Sequence, residues 1–192
     1  MTTPTAWTAV ILAGGHGRRL GNVEKASVRI GGQTLLERIL QDLPDEVPVV
    51  VVGPTIPTSR PVRFVLEEPR FGGPVAGLAT ALPEIRTPLL ALLATDMPRA
   101  ARLLGTLRSA LLDDDEVLMP VDAQGVRQQL CSIVRRDALA LALAHFPSHD
   151  GIAMRALMAR LKVRELALTT EQATMLQDID TPEDLRRARE GT

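Results

Sequence analysis

The chain has 192 residues, a net charge of −1 and an apolar fraction of 45%. That length suits one domain, 1–192, with a sizeable core, and the charge supplies no global field to steer the molecule onto nucleic acid or an acidic membrane. With three Phe, one Trp and no Tyr, the composition also argues against a stacking platform for single-stranded nucleic acid. The single cysteine, Cys131, rules out an intrachain disulfide and reads as a buried structural thiol, and the three histidines show no metal-ligand spacing. The longest apolar run, Ala138–Ala144, is far shorter than a bilayer span. No basic stretch precedes a signal core at the start of the sequence, so the expectation is a cytoplasmic protein with no membrane or nucleic-acid partner.

In chain order, Ala6–Leu12 is apolar except for Thr8 and runs toward a glycine cluster, which predicts a fully buried strand. Thr34 predicts the cap of a helix over Leu35–Leu43, with Glu37 completing a capping box. Pro48–Val52 and Val62–Leu66 are β-branched strand candidates. Pro74 suits the first turn of a helix reaching Leu82. Leu89–Ala94 predicts a second buried strand, and Ala100–Leu112 a helix. Val117–Val121 and Leu130–Val134 are strands flanking a hairpin or crossover at Asp122–Arg127. Asp137–His145 and Ile152–Leu161 predict helices, Val163–Leu168 a strand, and Thr181-Pro-Glu-Asp184 opens a last helix with a cap, a first-turn proline and acids. The alternation predicts an α/β fold, a mostly parallel twisted sheet with helices on both faces.

The chemistry is concentrated where strands end. Ala6–Leu12 runs into a loop with glycines at 14, 15, 17 and 21, carrying Arg18 and Arg19 and followed by Lys25. Glycines let backbone N–H groups approach a ligand and form an anion-binding concavity; cations add charge, and arginine a forked donor suited to phosphate. The spacing is neither a dinucleotide fingerprint, whose third glycine falls on Leu20, nor a P-loop, since no Gly-Lys pair exists. The alternatives are a polyphosphate cradle and an exposed turn with solvated arginines. Asp96 directly follows Leu89–Ala94. It is either a ligand for a hard cation such as Mg²⁺ or a turn or helix-capping aspartate. Ligands of parallel sheets bind beyond the carboxyl ends of strands, so both segments can reach one crevice.

Leu12-Ala-Gly-Gly15, Arg18-Arg19-Leu20-Gly21 and Lys25 together resemble the signature of the molybdenum cofactor guanylyltransferases and related MobA-type nucleotidyltransferases. Gly73-Pro74-Val-Ala-Gly77, Ala94-Thr-Asp96-Met-Pro98 and Asp178-Ile-Asp180-Thr-Pro-Glu-Asp-Leu185 are similar to three later segments of that family, in the same order. The resemblance implies a Rossmann-like nucleotidyltransferase fold and transfer of GMP from GTP to a molybdopterin-type acceptor, with pyrophosphate leaving. It implies Mg²⁺, with Mn²⁺ able to substitute, and an acceptor that other cofactor-biosynthesis proteins could deliver. Arg19, Lys25 and Asp96 would be catalytic. Leu12, Ala13, Gly14, Gly15, Lys25, Glu68 and Asp96 would hold the nucleotide, Asp96 the metal, and Asp180 the acceptor. Leu-Ala-Gly-Gly, rather than Leu-Ala-Ala-Gly, points to the guanylyl branch. The acid that meets guanosine falls on Glu67 or Glu68, with Glu68 preferred. Departures from the family pattern are Gln129 in place of a proline and Asp178 and Asp180 where many members carry asparagine. The alternatives are a related transferase using CTP or another phosphorylated acceptor, and a non-catalytic nucleotide-binding regulatory module.

Overall fold

The computed structural model describes residues 6–14, 16–17, 23–67, 70–122 and 124–190. Seven strands form one sheet: β1 (Trp7–Leu12), β2 (Val49–Val52), β3 (Arg63–Val65), β4 (Leu89–Ala94), β5 (Val117–Val121), β6 (Cys131–Arg135) and β7 (Val163–Ala167). Their order is β7-β5-β6-β4-β1-β2-β3. Every pairing is parallel except those of β6, which runs against β4 on one side and β5 on the other. The turn at Asp122–Arg127 therefore closes a hairpin, held by the Asp122 N–H donating to Val126 O and the Gly125 N–H to Asp122 O.

The central strands are apolar on both faces because both are covered. Ala9 and Ile11 of β1, Val49 and Val51 of β2, and Leu89, Ala91 and Leu93 of β4 pack into one core with Leu36, Ile39 and Leu40 of α1 (Leu35–Gln41) and Leu104 and Leu107 of α3 (Leu104–Ala110). The alternate residues Val10, Val50, Val52, Leu90 and Leu92 face a second core. That core is built with α2 (Pro74–Ala81), α4 (Arg136–Leu143) and α5 (Met154–Met158). This period-2 division is what a two-sided strand requires. Cys131 is fully buried, and burial pushes its thiol up to about 12, so it is inert at neutral pH.

Helix ends differ from the sequence expectation in instructive places. Thr34 Oγ1 accepts from the Glu37 N–H at 3.1 Å, but Glu37 does not return the bond; its Oε1 accepts from the Ser59 N–H instead, at 2.8 Å. The helix expected over Ala100–Leu112 begins as a 3₁₀ turn, Ala100–Leu103, and ends at Ala110. The helix expected over Ile152–Leu161 shortens to α5, because Ala153 is extended and serves as its cap. A short α6 (Thr170–Ala173), unforeseen, carries a full Thr169–Gln172 capping box. The last helix, α7 (Pro182–Glu190), starts as expected: Thr181 Oγ1 accepts the Asp184 N–H and Asp184 Oδ2 accepts the Thr181 N–H.

A third, small apolar cluster joins Val28, Ile30, Leu35 and Ile179, with Leu185 and Ala188 of α7 against it. Ile30 belongs to a hairpin, Arg29–Ile30 with Gln33–Thr34, turning on Gly31 (φ 55°) and Gly32 (φ 83°). Positive φ at both turn positions is why glycines stand there. This cluster docks the segment before α7 onto the chain that follows β1, at one end of the sheet.

Candidate active site

The carboxyl ends of three neighbouring strands are level, since Leu12 is in register with Val52 on one side and Ala94 on the other. The Thr95 N–H donates to Leu12 O at 3.1 Å, continuing the ladder one residue past β4. A cavity of about 370 Å³ opens above these ends, within the range of small-molecule sites. Leu12, Gly14, Val52, Glu67, Ala94, Thr95 and Asp96 line it, with Lys25 and Leu130. It lies where the chain reverses its direction of growth across the sheet, between β1 and β4, the switch point at which such folds hold ligands.

After β1 the backbone doubles back through a two-residue antiparallel ladder, His16–Gly17 with Val23–Glu24. That return brings Lys25, at the head of a 3₁₀ turn, back to the strand end. Gly15, Arg18, Arg19, Leu20 and Gly21 of the expected phosphate loop, and Glu68, lie outside the described residues. Ala13 is buried, its N–H bonded to Val52 O at 2.8 Å. Of the expected nucleotide contacts, Leu12, Gly14, Lys25 and Asp96 share the cavity.

Lys25 Nζ donates to Asp96 Oδ2 at 3.1 Å and also to Asp180 Oδ1. The exposed loop expected from sequence does not extend to this residue: the Lys25 side chain is 13% exposed, against 26% for Asp96 and 38% for Asp180. Burial alone would lower its pKa, but the bonds to Asp180 and Asp96 and their charges outweigh that, and the ammonium is held above its ordinary value. Asp96 does not cap the following helical turn, which has Arg99 at its cap and no side-chain capping bond. Its backbone carbonyl instead accepts the Ile179 N–H at 2.8 Å, tying the Asp178–Asp180 segment to the strand end.

Asp178 is a third carboxylate near enough to feel the charges of Asp96, Asp180 and Lys25, though it is not paired with the ammonium. Burial first, then the charges of Asp96 and Asp180, push its carboxyl up to about 6 from an ordinary 3.8. The folded protein therefore holds a proton there that the unfolded chain releases, so stability falls as pH rises from about 4 through about 6. Asp178→Asn is expected to raise Tm at pH 7 and to leave it unchanged near pH 4. The gain is modest because the side chain keeps solvent contact. Scanning calorimetry of the ligand-free protein at both pH values checks this; a Tm gain of equal size at pH 4 would show that charge is not its origin.

At the other end of the cavity, Glu67 sits between two glycines. A Cβ at Gly77 would lie 3.3 Å from Leu12 Cδ2 and Val52 Cγ1 and 3.6 Å from Glu67 Oε2, and one at Gly14 would lie 3.7 Å from Glu67 Oε1. Gly77 therefore permits α2 to approach the ends of β1 and β2 closely. Glu67 Oε1 accepts the Phe71 N–H at 2.7 Å; burial raises its pKa against that bond. Of the two adjacent acids, Glu67 lines the cavity, and Glu68 lies outside the described residues. Phe71 and Leu130, also on its wall, were not singled out. Gln129, where the family pattern has proline, leaves the turn before β6 hydrogen-bonded: the Cys131 N–H donates to Gln128 O at 3.0 Å and Ser132 Oγ to Gln129 O at 3.1 Å.

Among the described residues no three His, Cys, Asp or Glu side chains form a metal cage, and no helix is long and apolar enough to cross a membrane. Two carboxylates gathered on one cation are nonetheless the donor set that Mg²⁺ uses when phosphate oxygens complete its shell. Here the Lys25 ammonium stands as that cation.

Residues 9–166 match the family described as the MobA-like NTP transferase domain. A probable molybdenum cofactor guanylyltransferase of Natronomonas pharaonis is 29% identical over 196 residues, 95% of this chain and 96% of that protein. A namesake from Methanosarcina acetivorans is 34% identical over 105 residues, a match spanning 46% of its own length. Among solved structures, molybdopterin-guanine dinucleotide biosynthesis protein A of Archaeoglobus fulgidus superposes with a TM-score of 0.72 at 22% identity, covering 95% of this chain and 97% of that one. The 2-C-methyl-D-erythritol 4-phosphate cytidylyltransferase of Thermus thermophilus gives 0.71 at 18% identity, with coverage of 95% and 97%. Below 25% identity these two structures speak for the fold.

Proposed function

The chain belongs to the family of MobA-like NTP transferases, and from that premise we propose that this nucleotidyltransferase moves GMP from GTP to a molybdopterin-type acceptor, releasing pyrophosphate. The observation that carries the reading is the convergence of Lys25, Asp96 and Asp180 beside a cavity that Lys25, Asp96 and Glu67 line together. A transfer between two phosphate-bearing reactants is chiefly a matter of positioning and charge. Lys25 meets the triphosphate, with Arg19 as the second cation. Asp96 and Asp180 would hold Mg²⁺, which when bound would neutralise phosphate charge. The acceptor phosphate is ionised at neutral pH, so its oxygen attacks the α-phosphorus without a dedicated base, and pyrophosphate leaves toward the glycine loop. Asp180, the second carboxylate bonded to Lys25, faces the acceptor.

A carboxylate at the base end suits guanine, whose Watson–Crick edge offers N–H donors that a carboxylate accepts; cytosine offers an acceptor in the corresponding ring position. Glu67 is the acid assigned to that edge. Isothermal titration with the four nucleotides in Mg²⁺ is expected to give tightest binding for GTP. Glu67→Gln should weaken GTP by about tenfold to a hundredfold, the range of a hydrogen bond to a charged group. A preference of the unmodified protein for CTP would overturn the guanylyl reading and favour a cytidylyltransferase, a chemistry named for one neighbour of the same fold.

A further inference from the structure

We propose that Phe71 is a base-stacking residue, the ring against which the nucleobase of the bound nucleotide lies, and that it sets preference for purines ahead of the edge-reading by Glu67. The inference rests on the reading of the cavity as a nucleotide site. The chain has four aromatic residues. Trp7 is 6% exposed in the first core, and Phe64 and Phe146 pack against the two main cores. Phe71 alone is left 54% exposed, and it lines the cavity beside Glu67 and Gly73. A chain so poor in aromatics gives up apolar burial by leaving one on the rim of its site.

Its backbone adds a second, independent observation. Phe71 has φ 68°, the sole positive φ of a non-glycine among the described residues. Bulky side chains rarely adopt that conformation, and where it persists the surroundings over-determine it, most often at ligand sites. Here the Phe71 N–H is held by Glu67 Oε1 at 2.7 Å, and the next carbonyl, of Gly72, accepts the Gly151 N–H at 2.8 Å. The Arg70 guanidinium lies 5.3 Å from the ring centroid and braces it. One carboxylate thus fixes the ring and presents its other oxygen near Gly77, so stacking and edge recognition are coupled through Glu67. Stacking tolerates any base but grows with ring area, which favours purines over pyrimidines.

The test separates base from phosphate. Affinities for GTP, CTP and inorganic tripolyphosphate, which has no base, are measured by isothermal titration in Mg²⁺ for the unmodified protein, Phe71→Asn and Phe71→Trp. Asparagine tolerates the left-handed backbone, so Phe71→Asn keeps the turn and removes the ring. It is expected to weaken GTP by about tenfold to a hundredfold and CTP by less, leaving tripolyphosphate unchanged. Phe71→Trp should retain GTP binding and show fluorescence quenching by GTP but not by tripolyphosphate. Equal losses of GTP and tripolyphosphate in Phe71→Asn would reveal a purely structural role and overturn the proposal, as would undiminished GTP affinity. If the unmodified protein prefers CTP, both the guanylyl reading and the purine preference assigned to Phe71 fail, and a selective loss of CTP over tripolyphosphate in Phe71→Asn supports stacking alone. An unmodified protein that binds no nucleotide more tightly than tripolyphosphate overturns both.

Discussion

Replacing Lys25 by alanine is expected to cut turnover by about a hundredfold to a thousandfold, the scale for losing one preorganised contact to developing charge, while tightening the binding of Mn²⁺ to the nucleotide-free protein. The two effects have opposite signs because the ammonium plays two parts. On the proposed function it would face phosphate when nucleotide is bound; without nucleotide it is bonded to Asp96 and Asp180, the pair that would hold a divalent ion. A metal on that pair would have to displace it, and phosphate oxygens would assist by drawing the ammonium away, so nucleotide and metal are expected to bind cooperatively. Alanine abolishes the competition. The fold should weaken by about 1–2 kcal/mol, less than the 3–5 kcal/mol for breaking a fully buried pair, since both carboxylates keep solvent contact. The raised ammonium pKa places its stabilising effect below pH 10.5, to be lost only at higher pH, so this cost is constant across the physiological range. Pyrophosphate release at saturating GTP and electron paramagnetic titration of Mn²⁺ read the two effects. Near-normal turnover would remove Lys25 from the reaction, and weaker Mn²⁺ binding would refute the competition.

Asp96→Asn should lower turnover about a hundredfold with little change in Tm, and part of the loss should return at high Mg²⁺ or with Mn²⁺. Asparagine keeps the shape of the side chain and an oxygen for Lys25, but not the charge that compensates a cation's dehydration. Asp96→Ala should lose activity that added metal does not restore, because no oxygen remains. Its stability cost should stay below the ~0.5–2 kcal/mol of a lost helix cap, since Asp96 caps nothing. Turnover across a Mg²⁺ titration, beside melting curves of both variants, tests the pair. Full activity of Asp96→Asn at low Mg²⁺ would take Asp96 out of the site.

The parts of this fold legible in the sequence are those where one local signal dominates. Leu89–Ala94 is apolar at every position because it is buried on both faces, and its ends were readable to the residue. Thr181 and Pro182 mark their helix start because capping chemistry is local. What failed depends on partners distant in sequence: Glu37 had the right spacing for a capping box, but Ser59 claimed its carboxylate. The Gly31–Gly32 hairpin carries its turn signal in two adjacent glycines between short apolar runs. At the site, Lys25 and Asp96 were legible as charged residues at strand ends. The pairing of Lys25 with Asp180 was not, because Ile179 docks into a cluster with Val28, Ile30 and Leu35 that no window of sequence contains. The place of Glu67 on the cavity wall, across from Gly77, depends on contacts between segments that no local signal shows.

The bond from Lys25 to Asp180 spans 155 positions of sequence, which gives the site a place in time as well as in space. Synthesis proceeds from the amino end, and β1, Lys25 and Asp96 are made well before the segment that carries Asp180. A nascent chain therefore has a lysine with one carboxylate and an open apolar cluster at Val28, Ile30 and Leu35 until its last helix emerges. Contacts of such separation form late and slowly, and that uncovered apolar patch is the part of the chain a chaperone would meet. The closing segment thus seals a hydrophobic seam and gives Lys25 its second carboxylate in one step.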